Sequence, residues 1–588
     1  MDEHIEKSKD FYRQGVKVGV YICHCGGNIS DVIDVKEVVK ALSSYHGVAV
    51  STDYVFMCSS TGQTLIEDDI KNKGINRVVI AACSPTLHKL TFRGTLERAG
   101  LNPYLYEHVN IREQDSWVHK SNKKAATQKA IRLVKAAVEK ISRQNPLSAI
   151  RVSAEKAIAV VGGGIAGMNA ALSLAKLDYK VYLIEKENRL GGRLNDLGNI
   201  YPGGARASDI VSGLEKEIRN LKNIEILENS ELKEVSGYVG NFEIEIGNSI
   251  DKSSKKFKAG SIIITSGHKN YIPYDGEYGY LLNEKIITLP KFIEMLKSDE
   301  RGEAFKEIKN IAFIHCVGSR HIQGVDKLPE GRKLNEYCSR ICCTSTIYSI
   351  NQLLDKYPQI QVYDFYRDIR TYGLQHESYY EDLSKKGVVF FRYADTERPI
   401  VKVSDGKISI SAKDVLTWNE EIEVDADMLV LSTGIMPADI SLIVDKLKLP
   451  IGTDGFLLEA HPKLRPVEVP NLGIYIGGTA QAPMDSIEAS YGGKAAASKA
   501  ALLLSSGEII LDPFVAFVDR ELCDGCEKCV SECLYPGAIV MEEGKARVLS
   551  PLCKGCGACA AICPKRAINL AGYSLDQLDA MVDAIAKE

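Results

Sequence analysis

Short apolar blocks that run into glycine or cysteine recur along the chain, and most precede a helix-like stretch. Near the start these blocks are VKVGVYICHC, YVFMCSS and INRVVIAACS. The helical segment KKAATQKAIRLVKAAVEKI then leads through SRQNPLSAI into the next region. There Ile158 to Val161 reads as a buried strand, MNAALSLAKL as a helix, and KVYLIE as a second strand ending at Glu185. AGSIIITSG, KNIAFIHC, ADMLVLSTG and NLGIYIGG continue the series, while SGYVGNFEIEIGNSIDKSSKKFKAG predicts a plain pair of strands around a polar turn. Strands alternating with helices predict parallel sheets and a multidomain α/β fold class. The pattern divides the chain into an N-terminal α/β domain (residues 1–150), a nucleotide-binding domain in two segments (151–305 and 421–510), a domain inserted between them (306–420), and a tail (511–588). No apolar run approaches the roughly 18 residues of a membrane span.

Composition adds little: 45% hydrophobic, 26% charged and a formal net charge of −4 suit an ordinary globular protein, with no bias toward nucleic acid or an anionic membrane. MDEHIEKSKDFYRQG is polar and unlike a signal peptide, so a cytoplasmic protein is expected. The sixteen cysteines change the picture, because disulfides do not persist in that compartment. Four fall within residues 23–83, four within 316–343 and eight in the tail. Scattered single cysteines would suggest buried free thiols; groups in multiples of four suggest metal or redox work.

In the tail, Cys523, Cys526, Cys529 and Cys533 have C-x2-C-x2-C-x3-C spacing, and Cys553, Cys556, Cys559 and Cys563 repeat it, followed by Pro564. In two-cluster ferredoxins the fourth cysteine of each run serves the other run's cluster. That predicts Cys523, Cys526, Cys529 and Cys563 on one [4Fe–4S] cluster, and Cys553, Cys556, Cys559 and Cys533 on the second. Zinc is the competing reading, but zinc sites use four thiolates as two pairs rather than two such quartets.

Gly162, Gly164 and Gly167 form G-x-G-x-x-G between the strand and helix, and Glu185 ends the second strand. Glycines admit a pyrophosphate to the helix N-terminus, with Ile165 and Ala166 opening that helix, while Glu185, beside Lys186, suits a ribose hydroxyl. RLGGR, with Gly192 and Arg193, resembles the thioredoxin-reductase class of flavoproteins, as do the strand-ending Gly267 and Gly434 and the closing segment with Gly478 and Thr479. This resemblance implies FAD, although Asp often stands in that class where Thr479 stands here. The same class carries an inserted NAD(P)H domain. Here its strand Ile311 to Ile314 is followed by Cys316-Val317-Gly318-Ser319-Arg320, without the phosphate-turn glycines, and YCSRICC adds Cys338, Cys342 and Cys343. A cluster in place of a nicotinamide is the expected partner of the flavin.

In the N-terminal domain Cys23 and Cys25, Cys58, and Cys83 end three apolar strands, and a parallel sheet would carry them to one edge. His24 and His88 lie nearby as surface or surrounding residues rather than ligands.

YICHCGGNI, AACSPTLHKLTFR, NIREQDSWVH, CVGSR, YCSRICC, LEAHPKLRPVEVP and the double ferredoxin run together resemble the A-type subunit of heterodisulfide reductase over nearly the whole chain. The resemblance implies an FAD-containing iron–sulfur oxidoreductase subunit with no catalytic side chain of its own, and sixteen cysteines sorting into four quartets predict four [4Fe–4S] clusters beside one FAD. It implies B- and C-type partner subunits, a ferredoxin or a hydrogenase- or dehydrogenase-linked donor, and a homodimer within a larger complex. In some members the flavin bifurcates electron pairs; the alternative is a non-bifurcating subunit in sulfur, quinone-linked, aromatic-ring or acetogenic metabolism. Three departures stand out: a ferredoxin insert common in the family is missing, Tyr348 replaces a lysine near the flavin, and Asp115 stands where a cysteine is frequent, so that either the four N-terminal cysteines suffice or this carboxylate is an unusual fourth ligand. Two further readings are weaker. A self-contained NAD(P)H reductase lacks its second glycine fingerprint, and a flavin-free scaffold would not need an intact first one.

Overall fold

The computed structural model describes residues 15–201 and 203–586, and the chain divides into two compact units. One unit joins the chain up to Val152 to the tail from Ile510; the other is Ser153–Ile509.

In the first unit, β1 (Val18–Cys23), β2 (Val48–Tyr54), β3 (Arg77–Ala82) and β4 (Tyr106–Asn110) form a parallel sheet in the order β2-β1-β3-β4. Its connecting helices are α1 (Val35–Ser43), α2 (Ser60–Lys73) and α3 (Pro85–Arg98), and α4 (Lys123–Ser142) follows β4. Alternation along β1 sends Val18, Val20 and Ile22 into a core with α1 and α4, and Tyr21 and Cys23 into a core with α2 and α3. A sheet covered on both faces explains why its strands read as continuous apolar runs. Serine side chains start two of the helices: Ser59 accepts from Gly62 N–H and Ser84 from Thr86 N–H. Each serine directly follows a cysteine, so Cys58 and Cys83 stand at helix N-termini.

The second unit contains two parallel five-stranded sheets. In the first, β5 (Ala157–Val161), β6 (Lys180–Ile184), β7 (Ile224–Leu227), β8 (Ser261–Ile264) and a late strand Ile474–Ile476 take the order Ile474–Ile476, β8, β5, β6, β7. Helix α5 (Ile165–Ala175) links β5 to β6. The second sheet contains β9 (Ile286–Thr288), β10 (Asn310–Val317), β11 (Gln361–Tyr366), β12 (Val389–Arg392) and β13 (Met428–Thr433), in the order β9-β13-β10-β11-β12. Helix α6 (Ile341–Lys356) links β10 to β11. The sheet of the inserted domain therefore takes strands from outside residues 306–420. Within those limits β10 would have sheet neighbours on one side only, and β13 completes its other side. The pair of strands expected near residue 245, Asn241–Asn248 and Ser254–Ala259, is extended to three by Ser230–Tyr238.

The tail returns to the first unit. Two short antiparallel ribbons, Ala516–Val518 with Ile568–Leu570 and Ile539–Glu542 with Lys545–Val548, enclose a core that includes Cys529 and Cys559. A final helix, α7 (Leu575–Ala586), follows. Gln577 Nε2 donates to Gln144 Oε1 at 2.9 Å, and the Lys140 ammonium stands 3.5 Å from the Tyr573 ring centroid. Arg93 is 2.6 Å from Asp512. The tail is thus packed against the N-terminal domain. Among the described residues no helix is long and apolar enough to cross a membrane.

Candidate functional site

A cavity of about 1800 Å³ opens in the second unit. Gly162, Gly164, Ile165 and Ala166 line it where β5 passes into α5. No side chain caps α5, so its first N–H groups are free for an anion. Glu185 and Lys186 line it after β6, Gly192 and Arg193 from the RLGGR loop, Gly267 after β8, and Thr479 after the late strand. The Glu185 carboxylate is fixed by N–H groups of Gly163 (2.7 Å) and Glu187 (2.9 Å). Gly167 stands behind this wall: a Cβ there would fall 1.8 Å from the Gly162 carbonyl oxygen, so the helix reaches the strand only with glycine. Gly434 and Gly478 likewise lie behind the lining, Gly434 against Ser339. Thr479 Oγ1 is 2.9 Å from His268 Nδ1. Burial, and then Arg193, push the His268 imidazole down to about 4, so it is neutral. No motif marks His268 in the sequence, although it directly follows the strand-ending Gly267. A backbone anion site, a fixed acid and a long cavity fit a flavin dinucleotide.

The same wall continues with Ile341, Cys342, Ser345 and Tyr348 on the first turns of α6. Cys342 and Cys343 are buried, with Cys343 Sγ 3.6 Å from the Asp368 carbonyl oxygen; Cys343, Cys316 and Cys338 form the group that acts electrostatically on Cys342. Cys343 is held well below the usual thiol range, first by the neighbouring Cys342 and then by His315, while Cys342 is raised. Arg340 N–H donates to Cys338 Sγ at 3.3 Å. His315, adjacent to Cys316, is fully buried against Asp364 at 2.9 Å; no sequence pattern singles out either residue. The turn after β10 is filled rather than open. Gly318 has φ 73°, and a Cβ there would lie 2.1 Å from the Tyr271 ring. No helix starts at this turn, since α6 begins at Ile341.

In the first unit Cys23, Cys25, Cys58 and Cys83 come together at the C-terminal edge of the sheet, each linked electrostatically to another of the group. Arg112 Nη1 donates to Cys25 Sγ at 3.1 Å and Glu113 pairs with Arg112 at 2.7 Å. Burial pushes Cys83 up to about 12. Asp115 lies on the following turn, fully buried, with neither carboxyl oxygen hydrogen-bonded. The nearby His24 is engaged by Asp53 at 2.6 Å, and His88 is shifted down by burial and then Arg112.

In the tail, Cys523, Cys526, Cys529 and Cys563 line one small cavity. Burial, then Cys553 and Cys556, push Cys559 up to about 11, and the partly buried Cys533 packs against the same core. All sixteen cysteines are free thiols. Among the described residues no three His, Cys, Asp or Glu converge as ligands of a single ion. Thiolates of a cubane bind four different irons and stand around a volume instead. Four thiols around such a volume, buried or partly buried in the first and middle groups, fit a soft, cationic group that takes them as thiolates.

The pyridine nucleotide-disulphide oxidoreductase family profile matches residues 156–310, and that of the 4Fe-4S dicluster domain matches residues 516–564, spanning all eight tail cysteines. Among solved structures, the chain is similar to thioredoxin reductases of T. acidophilum (18% identity, 59% of this chain and 98% of that one, TM-score 0.41) and Lactococcus lactis (18%, 59% and 97%, TM-score 0.40). It is 35% identical over 621 residues to the A-type subunit of the H(2):CoB-CoM heterodisulfide,ferredoxin reductase of Methanothermobacter thermautotrophicus, covering 91% of this chain and 92% of that protein. An A-type iron-sulfur subunit of CoB--CoM heterodisulfide reductase from Methanopyrus kandleri is 34% identical (89% and 91% covered). A protein of Archaeoglobus profundus described as similar to the A-type heterodisulfide reductase subunit is 32% identical (89% and 91%). With a nucleotide cradle, a double ferredoxin run and this likeness along nine-tenths of its length, the chain belongs to the family of A-type heterodisulfide reductase subunits, oxidoreductase components that carry FAD and iron–sulfur clusters.

Proposed function

We propose that this chain is the electron-distributing subunit of a cytoplasmic heterodisulfide-reductase-type complex, with one FAD and four [4Fe–4S] clusters. The ligand sets are Cys23, Cys25, Cys58 and Cys83; Cys316, Cys338, Cys342 and Cys343; Cys523, Cys526, Cys529 and Cys563; and Cys553, Cys556, Cys559 and Cys533. FAD, when bound, supplies the exchange between two-electron and one-electron chemistry. The α5 N-terminus holds its pyrophosphate, and Glu185 receives a ribose hydroxyl. His268 and Thr479 would offer neutral polar atoms to the flavin from the cavity wall. The tail clusters form the route to and from a ferredoxin or the complex's donor, and B- and C-type subunits hold the terminal acceptor.

One observation carries this reading: Cys342 lines the same cavity as Gly162, Gly164 and Glu185. The middle quartet is therefore the flavin's immediate electron partner. Cys342→Ser tests it, because a hard alkoxide replaces a soft thiolate at similar volume. The variant should keep FAD and the tail clusters, lose one cubane's share of about four irons, and reduce its ferredoxin module far more slowly. Full iron content with normal flavin-to-ferredoxin transfer would leave the quartet a structural feature.

A second reading within the same frame is the non-bifurcating paralogue. Tyr348, half of an aromatic pair with Tyr379, stands on the cavity wall where the family often has a lysine. A phenol there gives an anionic reduced flavin less electrostatic support than an ammonium would.

A further inference from the structure

We infer that Arg112 is the fixed cation of the N-terminal cluster: it donates a charged hydrogen bond to the Cys25 sulfur and raises the potential at which that cluster accepts an electron, while Glu113 holds part of the effect back. The inference rests on the reading that Cys23, Cys25, Cys58 and Cys83 bind a cluster.

The contact joins two loops 87 residues apart in sequence. Arg112 Nη1 lies 3.1 Å from Cys25 Sγ, and Nη2 lies 2.7 Å from Glu113 Oε1. The guanidinium carbon stands 4.8 Å from the centroid of the Trp117 ring. Arginine keeps its proton throughout the physiological range, so the group is both donor and cation without titrating. A sulfur bound to iron is a thiolate with no proton to give, and it can only accept. Cys23 Sγ, by contrast, receives backbone N–H groups, from Cys25 at 3.3 Å and Met57 at 3.5 Å. The charged donor goes to Cys25.

Both loops are held in place. β4 ends at Asn110, whose side-chain oxygen accepts from the N–H groups of Arg112 and Glu113. A wide turn follows, in which Ser116 and Trp117 each donate five residues back, to the carbonyls of Ile111 and Arg112. In the other loop Cys25 (φ 52°), Gly26 (φ 59°) and Gly27 (φ 101°) run left-handed in succession, a conformation that a cysteine keeps only with support. Ser116 Oγ supplies some of it by donating to the Asn28 carbonyl at 2.8 Å. The turn that bears Arg112 is therefore bonded to the loop that bears Cys25. The Arg112 side chain is 16% exposed, so its charge is only weakly screened.

Reduction adds one electron to a centre that is already negative. A cation that also hydrogen-bonds one of its sulfurs favours the reduced form, and charge and hydrogen bonds to sulfur are among the terms that set such potentials. Glu113 works the other way, because its carboxylate offsets part of the charge of the guanidinium it binds. Arg112 is thus a tuning residue that touches a ligand, with no bond made or broken. The two neighbours carry opposite expectations, which a purely structural role would not produce.

The test uses the full chain with Arg112→Met, which removes charge and donor, Arg112→Lys, which keeps the charge, and Glu113→Gln, which removes the opposing charge. Iron and FAD contents are measured first. Midpoint potentials of all clusters then follow from a redox titration at one pH, monitored by electron paramagnetic resonance. The signal that disappears in Cys58→Ala belongs to the N-terminal cluster. In Arg112→Met this signal should move to lower potential while the others stay in place. The expected size is roughly tenfold less reduced cluster at a fixed potential, which is about 59 mV for one electron. Arg112→Lys should recover part of the shift, and Glu113→Gln should move the potential upward. An unchanged potential in Arg112→Met with intact iron overturns the inference, as does a downward shift in Glu113→Gln. Loss of the cluster in both Arg112 variants overturns it as well, since the contact is then a structural prop. If Cys58→Ala removes no cluster at all, it is the ligand assignment of the quartet that fails, and the tuning role fails with it.

Discussion

Asp115 is a carboxyl in surroundings that do not suit its charge. Both oxygens are buried and unbonded, and burial, opposed by Lys129, raises it from 3.8 to about 6. The folded protein thus holds this proton more tightly than the unfolded chain does. That contribution to stability is fully present below pH 3.8 and is lost as pH rises through 6. By pH 5 it amounts to about 1.4 kcal/mol relative to pH 7.5, one unit of proton affinity. Urea denaturation should show wild type gaining this much on Asp115→Asn between pH 7.5 and 5; a constant difference would refute it. On the proposed ligand set of four cysteines, iron content should be equal in both; loss of iron in Asp115→Asn would make the carboxylate a ligand. At this scale the cysteines were legible, since two of the four quartets have diagnostic local spacing. His315 and Asp364 were not, because their meaning lies in a contact 49 residues apart in sequence.

Among elements, the junction of β10 with α6 decides which donor can reach the flavin. A dinucleotide site needs a glycine turn that passes directly into a helix N-terminus. Here Tyr271 covers Gly318, and α6 starts only after a long loop that ends at Arg340. NADH or NADPH mixed with the isolated chain is therefore expected to leave the flavin absorbance unchanged; rapid stoichiometric bleaching would contradict this. The missing glycines were visible in the sequence, but the ring that fills the turn was not, since Tyr271 precedes the strand by some forty residues. Strand identities were similarly clear from apolar runs. Sheet membership was not: Ile286–Thr288 and Met428–Thr433 look like parts of the flanking domain until their register with one another is seen.

For the whole molecule, the sequence showed a ferredoxin tail and a separate N-terminal domain, and apolar periodicity had no means of joining them. What joins them is a mixture of polar, cationic and aromatic contacts: Gln577 with Gln144, Tyr573 with Lys140, Arg93 with Asp512, and Tyr104 with Phe514. The chain leaves this unit after Val152 and re-enters it at Ile510. That discontinuity acquires a cost in time during synthesis. At about 5–20 residues per second, the ribosome takes roughly 20–70 s to make residues 153–509 before any of the tail exists. Throughout that interval Lys140 and Gln144 have no tail to meet. Nascent chains stalled before residue 510 should accordingly be cut by protease within Lys123–Ser142 more readily than released chains. Equal protection would mean that the N-terminal domain finishes folding alone. If the difference is found, iron delivery to the first cysteines of this protein is a race between cluster loading and the emergence of its last ones.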